Sequence, residues 1–96
     1  MAIWIRKIKG DTSENYLKLA DGDWNLRTQF EVFESWLKCD AGNLKSDEMW
    51  IADIGFAPRE GALGGGPIIS LEMMKICLDK QITIYLSEYE GVNLTV

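Results

Sequence analysis

A nearly continuous apolar run, Met49–Phe56, is the feature that most constrains how this chain folds. Strands that are covered on both faces show such runs, whereas half-exposed strands alternate apolar with polar residues. Asp53 is the one charged residue inside the run. Because an unpaired buried charge is costly, we expect Asp53 to face solvent on an open sheet face or to be held at an edge by a partner. The run therefore predicts a central strand with one polar position.

Alternating stretches predict further strands on either side of this run. Residues 2–9 and 82–87 alternate in hydrophobicity, as expected for strands with one buried face. Residues 16–20 predict a short return strand, which forms a hairpin with the first strand across the turn residues 10–13. The residues that the alternation places on the core face of the last strand are Ile82, Ile84 and Leu86.

One segment in the first half of the chain has a pattern that fits two structures. Residues 24–39 match both strand and helix periodicity, but Thr28 followed three residues later by Glu31 forms a capping-box pattern. This pattern favours a helix from about Gln29 to Cys39. Gly42 is predicted to end it in a left-handed conformation.

A second helix is predicted over residues 70–80. The hydroxyl oxygen of Ser70 is suited to accept a hydrogen bond from an exposed backbone N–H at the helix start, and Glu72 is favourably placed in the first turn. We expect the apolar residues of this helix to form one stripe that faces the core. The members of the predicted stripe are Leu71, Met74, Cys77 and Leu78.

These elements together predict an α+β fold. A chain of 96 residues is long enough for one hydrophobic core and too short for two, so we expect a single domain over residues 1–96. Its predicted architecture is an antiparallel or mixed sheet of about four strands with two helices on one face. Residues 92–96 are predicted to be a frayed end or an edge extension.

A glycine-rich stretch, Gly61–Gly66, stands between the central run and the second helix. Phosphate-binding loops present backbone N–H groups at a helix N-terminus and usually add a lysine. This stretch contains no lysine, its spacing matches no phosphate-binding pattern, and Pro67 removes one donor. We therefore interpret it as a hinge, which leaves Arg59 and Glu60 on a mobile rim where a partner would order them.

The chain is acidic, with 15 acidic and 10 basic residues and a formal net charge of −5. This balance disfavours binding to nucleic acid and to anionic membranes. No apolar run approaches the roughly 20 residues that span a bilayer, and the N-terminus lacks a signal-peptide pattern. We expect a cytoplasmic protein.

The reactive side chains in the sequence favour binding over catalysis. The chain has no histidine, so it contains no Ser-His or Cys-His nucleophile pair. Cys39 and Cys77 share no metal-ligand spacing, which disfavours a zinc site. We expect no metal, no cofactor and no enzymatic activity.

The order of features in residues 64–90 resembles a class of small bacterial domains. Gly66-Pro67 is followed by two apolar residues, by Ser70, by a short amphipathic helix and by an apolar strand that ends near Tyr89. This order is similar to that of small bacterial domains of unknown function, some of which serve as immunity proteins in toxin–immunity pairs. The resemblance implies an acidic α+β protein that blocks the active surface of a partner, and it implies no catalytic residues.

The leading hypothesis is a protein-interaction domain, such as an acidic inhibitor of a basic toxin or enzyme. Four tryptophans in a short chain and the excess of carboxylates support it, because aromatic residues bracketed by charge are common at interfaces. The candidate partner-binding residues are Asp47, Glu48, Trp50, Asp53, Arg59 and Glu60.

Two alternatives remain at this point. One is a small-ligand-binding domain or enzyme that uses the Gly61–Gly66 loop as a lid. The other is a homo-oligomeric structural domain with exposed tryptophans at its self-interface.

Overall fold

Four strands form one mixed sheet in the computed structural model, which describes residues 2–90. Two helices complete the α+β fold that the sequence predicts. The elements in chain order are β1 (Ile3–Lys9), β2 (Thr12–Leu19), α1 (Leu26–Cys39), a short 3₁₀ helix (Ala41–Asn43), β3 (Trp50–Phe56), α2 (Leu71–Asp79) and β4 (Ile82–Glu88). The frayed or edge extension predicted for residues 92–96 lies outside the described residues.

The strand order is β2-β1-β3-β4, so the apolar run does form a central strand. β1 pairs antiparallel with both β2 and β3, and β4 pairs parallel with β3. In the register, Ile3 lies opposite Ile54 and Ile5 opposite Ala52, and all four side chains are fully buried. Because successive side chains alternate between the two faces of a strand, these four define the core face of the sheet.

The β1–β2 hairpin is longer than predicted. Lys9 pairs with Thr12, so the turn contains only two residues, and β2 begins four residues before Tyr16. Gly10 adopts a positive φ of 58°, which suits the first position of such a tight turn. A bulge then interrupts the pairing, because Ile5 faces Leu17 while the next residue of β1 faces Asn15, which leaves Tyr16 unpaired.

α1 starts one turn earlier than the capping-box pattern predicts. Asn25 is the N-cap, and its side-chain oxygen accepts a hydrogen bond from the Thr28 backbone N–H at 3.1 Å. The Thr28 hydroxyl instead donates to the Asp23 carboxylate at 2.6 Å. The predicted pairing of Thr28 with Glu31 is therefore wrong, since an Asn-based cap upstream satisfies the first turn.

The end of α1 also differs from the prediction. Asp40 is the C-cap, and its N–H donates to the Trp36 carbonyl at 2.8 Å. Gly42 lies inside the 3₁₀ helix that follows and does not adopt a positive φ. The chain thus leaves α1 through a tighter turn, without a left-handed glycine.

One hydrophobic cluster joins both helices to the core face of the sheet. α1 packs on β3 and contacts α2, and α2 packs on β4. The helix residues buried in this cluster are Phe30, Phe33, Trp36 and Leu37 of α1 and Met73 and Cys77 of α2.

Gln29 fixes the first turn of α1 to the sheet. Its side chain is fully buried, and its amide nitrogen donates to the Gly55 carbonyl at 2.7 Å and to the Asp23 carbonyl at 2.8 Å. Among the described residues, the Gln29 amide oxygen has no hydrogen-bond partner. The residue therefore stabilises the fold by satisfying two backbone carbonyls, one of them in β3.

We predict that Gln29→Leu lowers the free energy of unfolding by about 2 kcal/mol, because the Gly55 carbonyl would stay buried without a donor. Urea denaturation followed by circular dichroism measures the change. Glu31→Leu, at an exposed position two residues along α1, is the matched control and should change stability by less than about 0.5 kcal/mol. Equal losses in both variants would contradict this role of Gln29.

Candidate functional site

The outer face of α2 is apolar and exposed, which reverses part of the sequence prediction. Of the stripe expected to face the core, only Cys77 is buried. Leu71 and Leu78 are 81% and 80% exposed, and Met74 is 49% exposed. The residue that joins Cys77 in the core is Met73.

Two polar contacts between the helices fix the rotation of α2. The Ser70 hydroxyl both caps α2, accepting from the Met73 N–H at 3.1 Å, and donates to the Glu34 carboxylate of α1 at 2.8 Å. One turn further along α1, the Lys38 ammonium lies 3.6 Å from the Glu72 carboxylate of α2. These contacts turn the Glu72 side of α2 toward α1.

The exposed residues of α2 therefore point away from α1 and away from the buried residues Met73 and Cys77. At about 100° per residue, Met74 lies roughly 200° around the helix from Glu72. Leu71, Met74 and Leu78 recur at i, i+3 and i+7, so they share one face. The helix that carries this face packs on β4, which is the outer strand on that side of the described sheet.

β4 continues this apolar surface. Its residues Ile82, Ile84 and Leu86 lie on the predicted core face, opposite Trp50, Ala52 and Ile54 of β3. Only Ile82 is buried, whereas Leu86 is 51% exposed. The prediction that all three lie on the core face is confirmed, and Ile84 packs against the core, but Leu86 stays half exposed because an edge strand has a neighbour on one side only. We name Leu71, Met74, Leu78 and Leu86, with the open edge of β4, the α2–β4 surface.

The two edges of the sheet differ in character. The β2 edge has a bulge at Tyr16 and charged side chains at Glu14 and Lys18, features that discourage strand pairing. The β4 edge has no register irregularity and no charged residue between Ile82 and Ser87. It is therefore the edge that is suited to pair with another strand.

The glycine-rich loop packs against its own residues. The Arg59 guanidinium donates to the Gly64 carbonyl. Gly64 and Gly65 have φ values of 124° and 72°, and a Cβ at Gly65 would stand 3.8 Å from an Arg59 side-chain nitrogen. Leu63 is fully exposed at the tip of this loop. Glycine is required here because L-residues with side chains rarely adopt these angles.

Trp50 and Asp53, both candidate partner-binding residues, lie on opposite faces of β3. Trp50 is on the core face, is 2% exposed and packs edge-to-face with the Tyr16 ring at 4.9 Å between centroids. Asp53 is on the open face, where Arg6 and Ser87 donate to its two oxygens at 2.9 and 2.6 Å. The open-face prediction for Asp53 is confirmed, but the carboxylate is bound by side chains of both flanking strands.

The remaining candidate residues lie at the two ends of β3. Asp47 and Glu48 precede the strand, and Glu48 forms a 3.0 Å ion pair with Lys7. Arg59 and Glu60 follow the strand, in the glycine-rich loop. A seven-residue strand is roughly 20 Å long, so the structure does not bring the two pairs together.

Two recesses flank α1. One, of about 590 Å³, lies between β2 and the end of α1 and is lined mainly by apolar side chains such as Leu17, Leu19 and Trp36. The other, of about 260 Å³, lies where Ile68 and Ser70 follow the glycine-rich loop. The second recess is the one next to the proposed lid of the ligand-binding alternative.

The buried cysteine, Cys77, is a weak nucleophile. Burial raises the pKa of the Cys77 thiol to about 11, so the thiol stays protonated at neutral pH. A protonated thiol is a weak nucleophile. Cys39 is exposed at the end of α1. Across residues 2–90, no three acidic or cysteine side chains are grouped in a way that could hold a metal ion.

Comparison of the chain with protein-family models, curated proteins and solved structures gives no match. Neither helix of the described part has the length and hydrophobicity needed to cross a membrane.

The α2–β4 surface was missed by the sequence reasoning, which gave α2 only one apolar face. The sequence does contain a signal, because Met73, Ile76 and Cys77 recur at helical spacing just as Leu71, Met74 and Leu78 do. The helix therefore has two apolar faces, of which the core covers the one that contains Met73 and Cys77.

We predict that Asp53→Ala lowers the free energy of unfolding by about 1–2 kcal/mol, because it removes a charged hydrogen bond and leaves the Arg6 guanidinium, which is 30% exposed, without its acceptor. Asp47→Ala, in the exposed turn before β3, is the control and should stay within about 0.5 kcal/mol of the parent. Thermal unfolding of both variants measures the difference. Equal stabilities would rule out the structural role of Asp53.

Proposed function

We propose that this chain is a non-enzymatic protein-interaction domain and that the α2–β4 surface is its docking surface. The observation that carries the proposal is the exposed face of α2, formed by Leu71, Met74 and Leu78. Leu86 of β4 extends the same surface. A protein partner that covers these side chains would remove them from water.

The energetics of apolar exposure support this proposal. Monomeric soluble proteins rarely expose contiguous apolar patches larger than a few hundred Å², and the largest patch on a monomer is often functional. Each large aliphatic side chain that becomes fully buried contributes about 1.5–3 kcal/mol. Two leucines that are four-fifths exposed can therefore act as the anchors of an interface.

The chemistry of the described residues supports binding over catalysis. Both carboxylate oxygens of Asp53, the charged residue inside the central strand, are bound by Arg6 and Ser87. The Cys77 thiol is protonated at neutral pH. The sequence contains no histidine to act as a base.

We predict that the double variant Leu71→Glu, Leu78→Glu loses its protein partner. Affinity isolation from the native cells, with mass spectrometry that counts other proteins and untagged copies of this chain, measures the recovery. Both positions are highly exposed, so circular dichroism should be unchanged. We expect at least about a tenfold loss of the recovered partner, since carboxylates would have to be buried at the interface.

Leu63→Glu is the matched control, because Leu63 is equally apolar and exposed but lies in the glycine-rich loop, outside the α2–β4 surface. It should retain the partner. Equal recovery with the double variant and with the control would refute the docking surface.

A second candidate function is inhibition of a basic partner, as the sequence resemblance implies. The observation that favours it is the acidic end of the sheet, where β3 and β4 finish side by side and the Tyr89 N–H donates to the Phe56 carbonyl at 2.9 Å. Glu60, Glu88 and Glu90 belong to this end, and none forms an ion pair with another described residue. Such charges steer a basic protein toward the surface.

We predict that Glu60→Lys, Glu88→Lys slows association with a basic partner by about tenfold at low salt, and that high salt removes the difference. Asp11→Lys, Asp47→Lys makes the same change in net charge at the opposite end of the sheet and is the control. Surface plasmon resonance of the recovered partner measures the association rate. Equal slowing by both variants would mean that the net charge of the protein, and not the acidic end of the sheet, sets the association rate.

A further inference from the structure

We propose that the partner covering the α2–β4 surface is a second copy of this chain, related by a two-fold axis beside Tyr85. This inference rests on the proposed function, since it names the occupant of the same surface. In this dimer the two β4 strands pair antiparallel, edge to edge, and the two sheets become continuous.

The backbone of β4 presents the groups that this pairing needs. The Gln81 carbonyl accepts a hydrogen bond from β3 and the Tyr89 N–H donates one to β3, each at 2.9 Å. Backbone groups of successive residues in a strand point to opposite sides, and β4 has no register irregularity. The N–H and C=O groups of Ile84 and Leu86 therefore point away from β3, toward the open edge.

The side chains of β4 match their own copies around this axis. A two-fold axis at Tyr85 places Ile84 opposite Leu86 and Thr83 opposite Ser87. The apolar pair lies on the helix side of the sheet, and the hydroxyl pair lies on the open side. Cross-strand pairs of like character stabilise antiparallel sheets, so this register is favourable along most of the strand.

Charge favours β4 over the other edge for self-association. Each copy has a net charge of −5, so two copies repel each other at a distance. No charged residue lies between Ile82 and Ser87, so the axis brings no like charges together there. The β2 edge would bring Glu14 and Lys18 into the contact together with its bulge.

The helices add a second layer to the interface. α2 and β4 are joined by only two residues, Lys80 and Gln81, so helix and strand are held as one unit. The two-fold axis places the α2 helices of both copies antiparallel on the same side of the joined sheet. In the proposed dimer the exposed faces of the two helices pack against each other, with Leu71 of one copy against Leu78 of the other.

The exposed apolar area of the α2–β4 surface is sufficient for a small dimer interface. Full burial of a large side chain contributes about 1.5–3 kcal/mol, and each Å² of buried apolar surface contributes about 25 cal/mol. One such side chain therefore removes roughly 60–120 Å² of apolar surface from water. Leu71, Met74, Leu78, Tyr85 and Leu86 are each between about half and four-fifths exposed, so they offer roughly 200–350 Å². A specific interface needs about 500 Å² per subunit, of which somewhat more than half is apolar. The strand backbone and its hydroxyl side chains supply the polar remainder.

Sedimentation velocity of the purified chain, from micromolar to near-millimolar concentration, tests the proposal. We expect a reversible monomer–dimer equilibrium whose midpoint rises about tenfold or more in Leu71→Glu, Leu78→Glu and stays unchanged in Leu63→Glu. Amide exchange at Ile84 and Leu86 should slow as the dimer forms. A monomer at all concentrations overturns the proposal, as do amides at Ile84 and Leu86 that are protected without dependence on concentration, because the edge would then be covered within one chain.

Cysteine cross-linking tests the position of the axis independently. Tyr85 would be a non-hydrogen-bonded pair with its own copy, and such pairs bring Cβ atoms within reach of a disulfide. In a Cys39→Ser background, Tyr85→Cys should therefore give a linked dimer under mild oxidation. Thr83→Cys, on the same face, faces Ser87 of the other copy and should stay monomeric. Equal linking of both variants would overturn the assigned register.

The two proposals fail in different ways. One outcome is that the purified chain is monomeric while native cells yield a different protein whose recovery is lost in Leu71→Glu, Leu78→Glu. In that case the docking surface is correct and the proposal of a second copy as its occupant is wrong. If the purified chain is monomeric and no protein is recovered through this surface, both are wrong.

Discussion

The exposed surface of this protein depends on how α2 is rotated about its axis. Ser70 and Glu72 contact Glu34 and Lys38 of α1, while Met73 and Cys77 enter the core, and these contacts together define the rotation. Large apolar residues occur on both sides of the helix, with Met73 and Ile76 on one side and Leu71, Met74 and Leu78 on the other. The Ser70 contact is the stronger of the two, since it also caps the helix and is partly buried.

The elements of the fold were predictable where the local signal was unambiguous. The apolar run of β3 and the Ser70 cap of α2 depend on adjacent residues, and both are found as expected. The start of α1 was not predicted, because Thr28 and Asn25 are both good capping residues and Asp23 decides between them through a hydrogen bond. The parallel pairing of β3 with β4 is a long-range property that strand periodicity does not contain.

The candidate site was less predictable than the fold, for a reason that Trp50 and Asp53 illustrate. The two residues are close in sequence, but an odd separation along a strand places them on opposite faces. Trp50 then belongs to the core, and Asp53 connects β1 and β4 through Arg6 and Ser87. The exposure of Leu86 likewise follows from strand order, because the same residue in a central strand would be covered.

The contrast between the two edges of the sheet also limits how far an assembly can grow. The proposed pairing through β4 would use the edge of the described sheet that has no register irregularity, and it would leave β2 outermost on both sides. There the bulge at Tyr16 and the charges of Glu14 and Lys18 interrupt any further strand addition. An association of this kind is closed, so higher concentration fills more dimers and does not extend them into fibres.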